Sequence, residues 1–230
     1  MERMLFDVIR GHHSDRKFLP TPMSVTDIEE VLADASIFPN ANTINSWTVH
    51  VVSGARRSAH SKRTLGQFDS VQQPPILATG YADATCSDHA KNTGPNLHGV
   101  PGDESPDIKL GQEMQPEYLR FHGAPHVAFL FMPITDDEVR TADDVGAYAH
   151  AFLLALESRG YYGVLQTLVP AFADEVRDVL GVSDELELSF ALSFGSVDPD
   201  DPISAPVDAP SSHCRHCPSP VPEVTAHPNV

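Results

Sequence analysis

Residues 123–133, GAPHVAFLFMP, constrain this chain more than any other stretch. Gly123 and Pro125 open a run of near-continuous apolar character, and Pro133 closes it. A strand with one wet face alternates polar and apolar residues, so a strand-length run without alternation reads as a central strand covered on both faces. The run is also far short of the ~20 residues that span a bilayer. A two-sided strand needs partners, and the rest of the chain must supply them.

Helical partners are legible on either side of it. Met4, Leu5, Val8 and Ile9 give Glu2 to Arg10 a helical period, followed by the polar, basic loop GHHSDRKF. SVTDIEEVLADAS is a second helix, with Thr26 and Glu29 as a capping box and Ile28, Val31, Leu32 and Ala35 as its buried stripe. DDVGAYAHAFLLALESRGYYG is the longest, with Gly160 as its stop. Its apolar surface, from Val145 through Tyr148, Ala149, Phe152, Leu153 and Ala155, is wide enough to imply burial on more than one side, as a dimer interface would provide. A fourth helix spans Pro170 to Leu180, and LELSFALSFG is a strand after it. The amide-rich PNANTINSW leads into a strand over Thr48 to Val52, with Trp47 as a core anchor at its start.

Two stretches carry no period. Residues 65–118 hold Gly, Pro, Asp and His in irregular order and are too long for an ordinary connection, so they read as a surface excursion, a lid or a partner-clasping arm. Seven of the 20 prolines fall in the last thirty residues, which makes 204–230 an extended or disordered tail and leaves 1–203 as the folded domain.

Charge and cysteine content exclude several classes. A net charge of -17 argues against nucleic acid and an acidic membrane surface as partners. Three cysteines without framework spacing fit a reducing, cytoplasmic setting, and the N-terminus has no secretory core. The run His213-Cys214-Arg215-His216-Cys217 holds four metal-ligand types, but it is too short for all four to close on one ion, so no metal site is expected.

Three polar pieces suggest chemistry. Ser14, Arg16 and Lys17 suit an anion, PNANTINSW offers neutral donors and acceptors for a heterocycle edge, and GVLQTLVP carries Gln166 and Thr167 on a loop leaving the long helix. Together they match what a bound flavin mononucleotide (FMN) requires. In order and wording the chain resembles the FMN-dependent nitroreductase family, most of all its branch acting on nitrobenzoate-like aromatics. HHSDRKF is similar to the family's Arg-Arg-Ser-x-Arg-x-Phe loop, and PNANTINSW keeps the Pro-to-Trp spacing of its flavin loop. FHGAPHVAFLF, GYYGVLQ and ALSFGSVDPDDP resemble three further motifs, over about residues 3 to 203.

The resemblance implies an α+β fold, a mainly antiparallel sheet flanked by helices, in an obligate homodimer built on the long central helix. It implies FMN as cofactor, NAD(P)H as co-substrate and a nitroaromatic or quinone-like acceptor in a ping-pong reaction, with no catalytic side chain. By the same resemblance His12, His13, Ser14 and Arg16 lie at the phosphate, and Pro39, Asn40, Thr43 and Asn45 face the flavin held by the partner. Gln166, Thr167 and Leu168 follow, with backbone N–H groups near Thr167 and Leu168 directed to the ring's N5 and O4.

Departures from the pattern qualify the expectation. His12 stands where relatives usually carry arginine, which makes a phosphate contact pH-sensitive. The Asn and two arginines that complete the phosphate site at the family's C-terminus have no counterpart in ISAPVDAPSSH. Each missing charge-assisted contact costs ~1.5–3 kcal/mol, so weak flavin binding is expected, with Arg120 as a compensating cation. Two alternatives stay open: a catalytically silent homologue that binds a flat ligand, and a flavin enzyme for dehalogenation or dehydrogenation.

Overall fold

The structure, a computed structural model, describes residues 5–37, 47–70, 116–135 and 138–198. Its centre is β2, His126–Pro133, of which His126 through Met132 are buried. β2 lies antiparallel between β1, Thr48–Ser53, and β4, Leu186–Gly195, with Val51 opposite Ala128 and Ala128 opposite Leu192. β3, Tyr162–Gln166, pairs with the other edge of β4, giving the antiparallel order β1-β2-β4-β3.

The pleat divides β2 between two cores. Ala128, Leu130 and Met132 face one, where α2, Val25–Ala35, and the long helix α4, Glu138–Ser158, supply Val31, Ala35, Val145, Phe152 and Leu156. Val127, Phe129 and Phe131 face the other, against Val169 and the short helix α5, Ala173–Leu180, through Val176. The two-sided reading of the apolar run therefore holds. β4 carries one extra residue against β2: Leu130 is opposite Phe190, yet Phe131 is opposite Leu188, so Ser189 is skipped. That bulge turns Leu188 to the same core as Ala191, which simple alternation would not do.

α1, Leu5–Gly11, falls where the helical period put it, although residues 1–4 lie outside the described residues. Four expectations are corrected. The cap of α2 is Ser24, whose hydroxyl accepts from Asp27 N at 3.0 Å, rather than the Thr26–Glu29 pair. Bonds from Ser24 and then from the Tyr161 hydroxyl hold the Asp27 carboxyl below its ordinary pKa. The segment after Gly160 (φ 80°) is the strand β3, not a loop, because Gly163 lets it approach the long helix closely: a Cβ there would meet Leu153 Cδ2 at 2.6 Å and Ser193 O at 3.3 Å. Pro170 is the second residue of a 3-10 turn, Val169–Phe172, and α5 starts after it.

The fourth correction is α3, Gly54–Ser70, a helix that runs into the stretch read as a surface excursion without a clear period. Its period is hidden because the buried face is polar: His60, Ser61 and Thr64 are all buried. Thr64 Oγ1 satisfies itself by donating to the carbonyls of His60 and Ser61, at 3.0 and 3.1 Å. Both ring nitrogens of His60 are shielded and have no hydrogen-bond partner, and the ring packs on Phe129 at 4.9 Å. No described helix is long and apolar enough to cross a membrane. Pro39 to Asn45, most of 65–118 and the whole tail, with its His213–Cys217 run, lie outside the described residues.

Burial, with Arg56 and Arg63 nearby, lowers the His60 pKa to about 4, below its ordinary 6.5. Between these values the unfolded chain binds the proton and the folded one does not, so stability falls as pH drops from about 6.5 to about 4. A His60→Leu variant removes this dependence, and thermal unfolding from pH 7 to pH 4.5 should show a shallower loss than in the wild type. An unchanged slope would assign the acid sensitivity to other groups.

Candidate functional site

The loop after α1 is pinned at its far end to the sheet. Phe18 bridges to Val197, Phe18 N donates to His122 O at 3.2 Å, and Leu19 N donates to Ser196 O at 2.8 Å. These contacts bring residues 12–17 against the turn at 116–125 and against β3. Four of the expected cofactor residues therefore share one loop, but they do not share one role.

His12 Nδ1 lies 3.1 Å from Glu157 Oε2 on α4, a carboxylate that is itself buried. His13 turns inward. Its Nδ1 is 2.6 Å from Gly11 O, which can only accept, so Nδ1 carries a proton, and Nε2 lies 3.3 Å from the fully buried Asp15. Tyr162 flanks that ring at 6.2 Å. His13 and Asp15 thus shape the loop, while Ser14 is exposed. The half-buried Arg16 donates from Nη1 to Ser14 O at 3.1 Å. Burial lowers the Arg16 pKa from its usual value, opposed by Tyr118 and Asp15.

At the end of β3, Gln166 is fully buried. Its Nε2 donates to Tyr118 O at 2.8 Å, and its Oε1 accepts from Ser193 Oγ at 2.7 Å. Its amide therefore ties the 116–119 helical turn to β4 and is not directed at a ligand. Leu168 N donates to the Tyr118 hydroxyl at 3.2 Å, and Thr167 also bonds that hydroxyl. The two backbone donors expected at a flavin thus converge on a tyrosine oxygen. Burial raises the Tyr118 pKa, with the Leu168 and Thr167 bonds opposing it, so the hydroxyl stays neutral.

Sequence reasoning gave no role to Tyr118 or to His122. Phe121 and His122 both adopt left-handed backbone, at φ 58° and 51°, where non-glycine residues carry strain. The His122 ring meets Tyr118 edge-on at 5.5 Å, and its Nε2 is buried with no hydrogen-bond partner. Burial first, then the charge of Arg16, lowers its pKa to about 4, so it is neutral near pH 7. The available signal was the Phe-His-Gly-Ala-Pro wording where the resemblance has Phe-Phe. Arg120, read as a compensating cation, pairs with Glu117 at 2.6 Å. His126, at the start of β2, is satisfied on both nitrogens, by Met23 N at 2.8 Å and Ser53 Oγ at 2.5 Å.

What the site gathers is one guanidinium, one exposed hydroxyl and two adjacent backbone amides around a neutral tyrosine and histidine. That donor set suits an anion joined to a polar heterocycle. The donors sit at the edge of a four-stranded antiparallel sheet in an α+β fold. Residues 9–196 match the nitroreductase family, and the chain belongs to that family.

Among its relatives, the nitroreductase NfnB of Mycolicibacterium smegmatis is 32% identical over 193 residues, spanning 83% of this chain and 82% of that one. A 4-nitrobenzoate reductase of Pseudomonas putida is 23% identical, covering 83% and 84%. Of solved structures, the FMN-dependent nitroreductase NfnB from Mycobacterium smegmatis in complex with NADPH superposes with a TM-score of 0.77. It is 29% identical and covers 89% of this chain and 93% of that one.

Gln166 is the structural hinge of this arrangement. Gln166→Leu leaves Tyr118 O and Ser193 Oγ without their partner, at a cost of ~1–3 kcal/mol. Denaturant unfolding should show that loss, and Ser193→Ala added to it should cost little more, because the two changes break one network. Additive losses would mean the network is not shared.

Proposed function

We propose that this chain is an FMN-dependent oxidoreductase that moves hydride from NAD(P)H to a nitroaromatic or quinone-like acceptor by a ping-pong route. The observation that carries the reading is the meeting of the Arg16 loop with the Thr167 and Leu168 amides at Tyr118. Membership of the family supports it, as does the likeness to an FMN-dependent relative solved with NADPH. Bound FMN would supply the hydride chemistry, so the chain's task is to hold and orient it.

Arg16 and Ser14 take the phosphate in this reading, and His13 with Asp15 keeps their loop in shape. His12 has its Nδ1 beside Glu157, which leaves Nε2 for a phosphate oxygen. The Thr167 and Leu168 amides exchange the Tyr118 hydroxyl for the polar edge of the ring. Gln166 acts behind them by fixing Tyr118. Pro39, Asn40, Thr43 and Asn45 close over the flavin of a second subunit. A homodimer accords with α1, which exposes Leu5, Phe6 and Ile9, at 64%, 69% and 53%. Residues 1–203 make the flavin-binding unit, with 204–230 as a tail beyond it.

One observation favours a second reading, a silent homologue that binds a flat ligand weakly: both amides already have an acceptor in Tyr118.

Titration of the purified protein with FMN, followed by fluorescence quenching at pH 6 and pH 8, separates the two. Stoichiometric binding, weakened about tenfold or more by Arg16→Gln, is expected for the enzyme. Absence at both pH values would sink the oxidoreductase reading. Tyr118→Phe should lower the stability of the flavin-free protein by ~1–3 kcal/mol and enlarge its thermal shift on adding FMN. A smaller shift would show that the hydroxyl helps hold the cofactor instead of competing with it.

A further inference from the structure

The chain carries a net charge of -17, yet α3 holds Arg56, Arg57, Lys62 and Arg63, four of its 15 basic residues. Arg63 is spent on Asp178, at 2.5 Å. Arg57 and Lys62 instead line a cleft of about 660 Å³ between α3 and the 116–123 turn, with Ser58, Ser61, Arg120 and Glu117. Arg120 and Glu117 pair with each other across 2.6 Å, so the surplus positive charge of the cleft belongs to Arg57 and Lys62.

Arg57 is held in place from two sides. Its Nη2 donates to Arg120 O at 2.7 Å, and its guanidinium lies over the Phe121 ring at 5.9 Å. Its Nε is shielded from solvent and has no hydrogen-bond partner. An oriented guanidinium, a mobile ammonium on an exposed lysine and two serines are the parts of a site for a tetrahedral dianion.

The cleft shares a wall with the candidate flavin site. Within one turn, Tyr118 and His122 face Leu168 and Arg16, while Glu117, Arg120 and Gly123 line the cleft. We propose that this cleft binds the phosphate monoester that distinguishes NADPH from NADH, and so sets the preference for the phosphorylated nucleotide. The assignment rests on the oxidoreductase reading for its physiological ligand, but the anion site itself does not need bound flavin.

The test uses the full-length protein and two fragments of the nucleotides, 2′,5′-ADP and 5′-AMP, in titration calorimetry. 2′,5′-ADP should bind at least about tenfold more tightly than 5′-AMP, with an affinity that falls as salt rises. Lys62→Gln, at an exposed position where folding is not at stake, should remove most of that preference. Arg57→Gln should do the same, with circular dichroism to check its fold because Arg57 also packs on Phe121. Equal binding of the two fragments, binding of neither, or a preference that survives Lys62→Gln would overturn the proposal. If 2′,5′-ADP binds as expected while FMN does not, the cleft stands and the oxidoreductase reading falls. If FMN binds and the fragments do not differ, the reverse holds.

Discussion

Burial of β2 on both faces is the constraint on which the rest of the structure depends. Seven of its eight residues are buried, and at ~1.5–3 kcal/mol for each large apolar side chain it supplies much of the stability of a domain of this size. Two-sided burial forces a layer of helices onto each face, and the antiparallel pairing with β1 and β4 fixes which residues each layer meets. The bulge at Ser189 adjusts β4 to this arrangement by turning Leu188 into the second core. The candidate site is then hung on the ends of these strands: the Arg16 loop by the contacts of Phe18 and Leu19 to His122 and Ser196, the paired amides by the exit of β3.

That hierarchy explains what could be read from the sequence. β2, α2 and α4 bury apolar side chains, so their periods are written in residue type. The buried face of α3 is His60, Ser61 and Thr64, and a helix whose inner face is polar gives no apolar period to detect. β3 is five residues long, and its defining feature is the missing side chain of Gly163, a close approach that only the packed helix reveals. The resemblance named three loops, one of which lies outside the described residues, and the division of labour within the other two was hidden. His13 and Arg16 are three residues apart, but one is turned onto Asp15 and the other toward Tyr118. Gln166 looked like a ligand and is a strut.

The turn at 116–123 is where these elements meet, and its energetics are uneven. Left-handed backbone costs ~1–2 kcal/mol for a residue with a Cβ. Phe121 offsets that cost, since its ring is fully buried and packs edge-on to Phe129 at 6.0 Å. His122 has a similar edge-on contact, to Tyr118, but it adds to the same strain an unpartnered buried nitrogen, itself worth ~1–3 kcal/mol. The phenylalanine of the family pattern would avoid the second cost.

Such a cost persists only where the surroundings hold the residue in place, and here they do. Phe18 N bonds His122 O, Tyr118 covers its ring, and Gly123 follows at φ 75° with Phe18 O only 3.6 Å from where a Cβ would stand. The strain is therefore borne by the network that also positions Arg16 and the Thr167–Leu168 amides. A network carrying an unmet polar group has less to lose when its partners are exchanged than a fully satisfied one, because the incoming group can recover a bond the resting state lacks. Among the described residues the strain and the unmet His122 nitrogen sit in the turn, while Gln166 and the strand that presents the two amides stay fully bonded to β4.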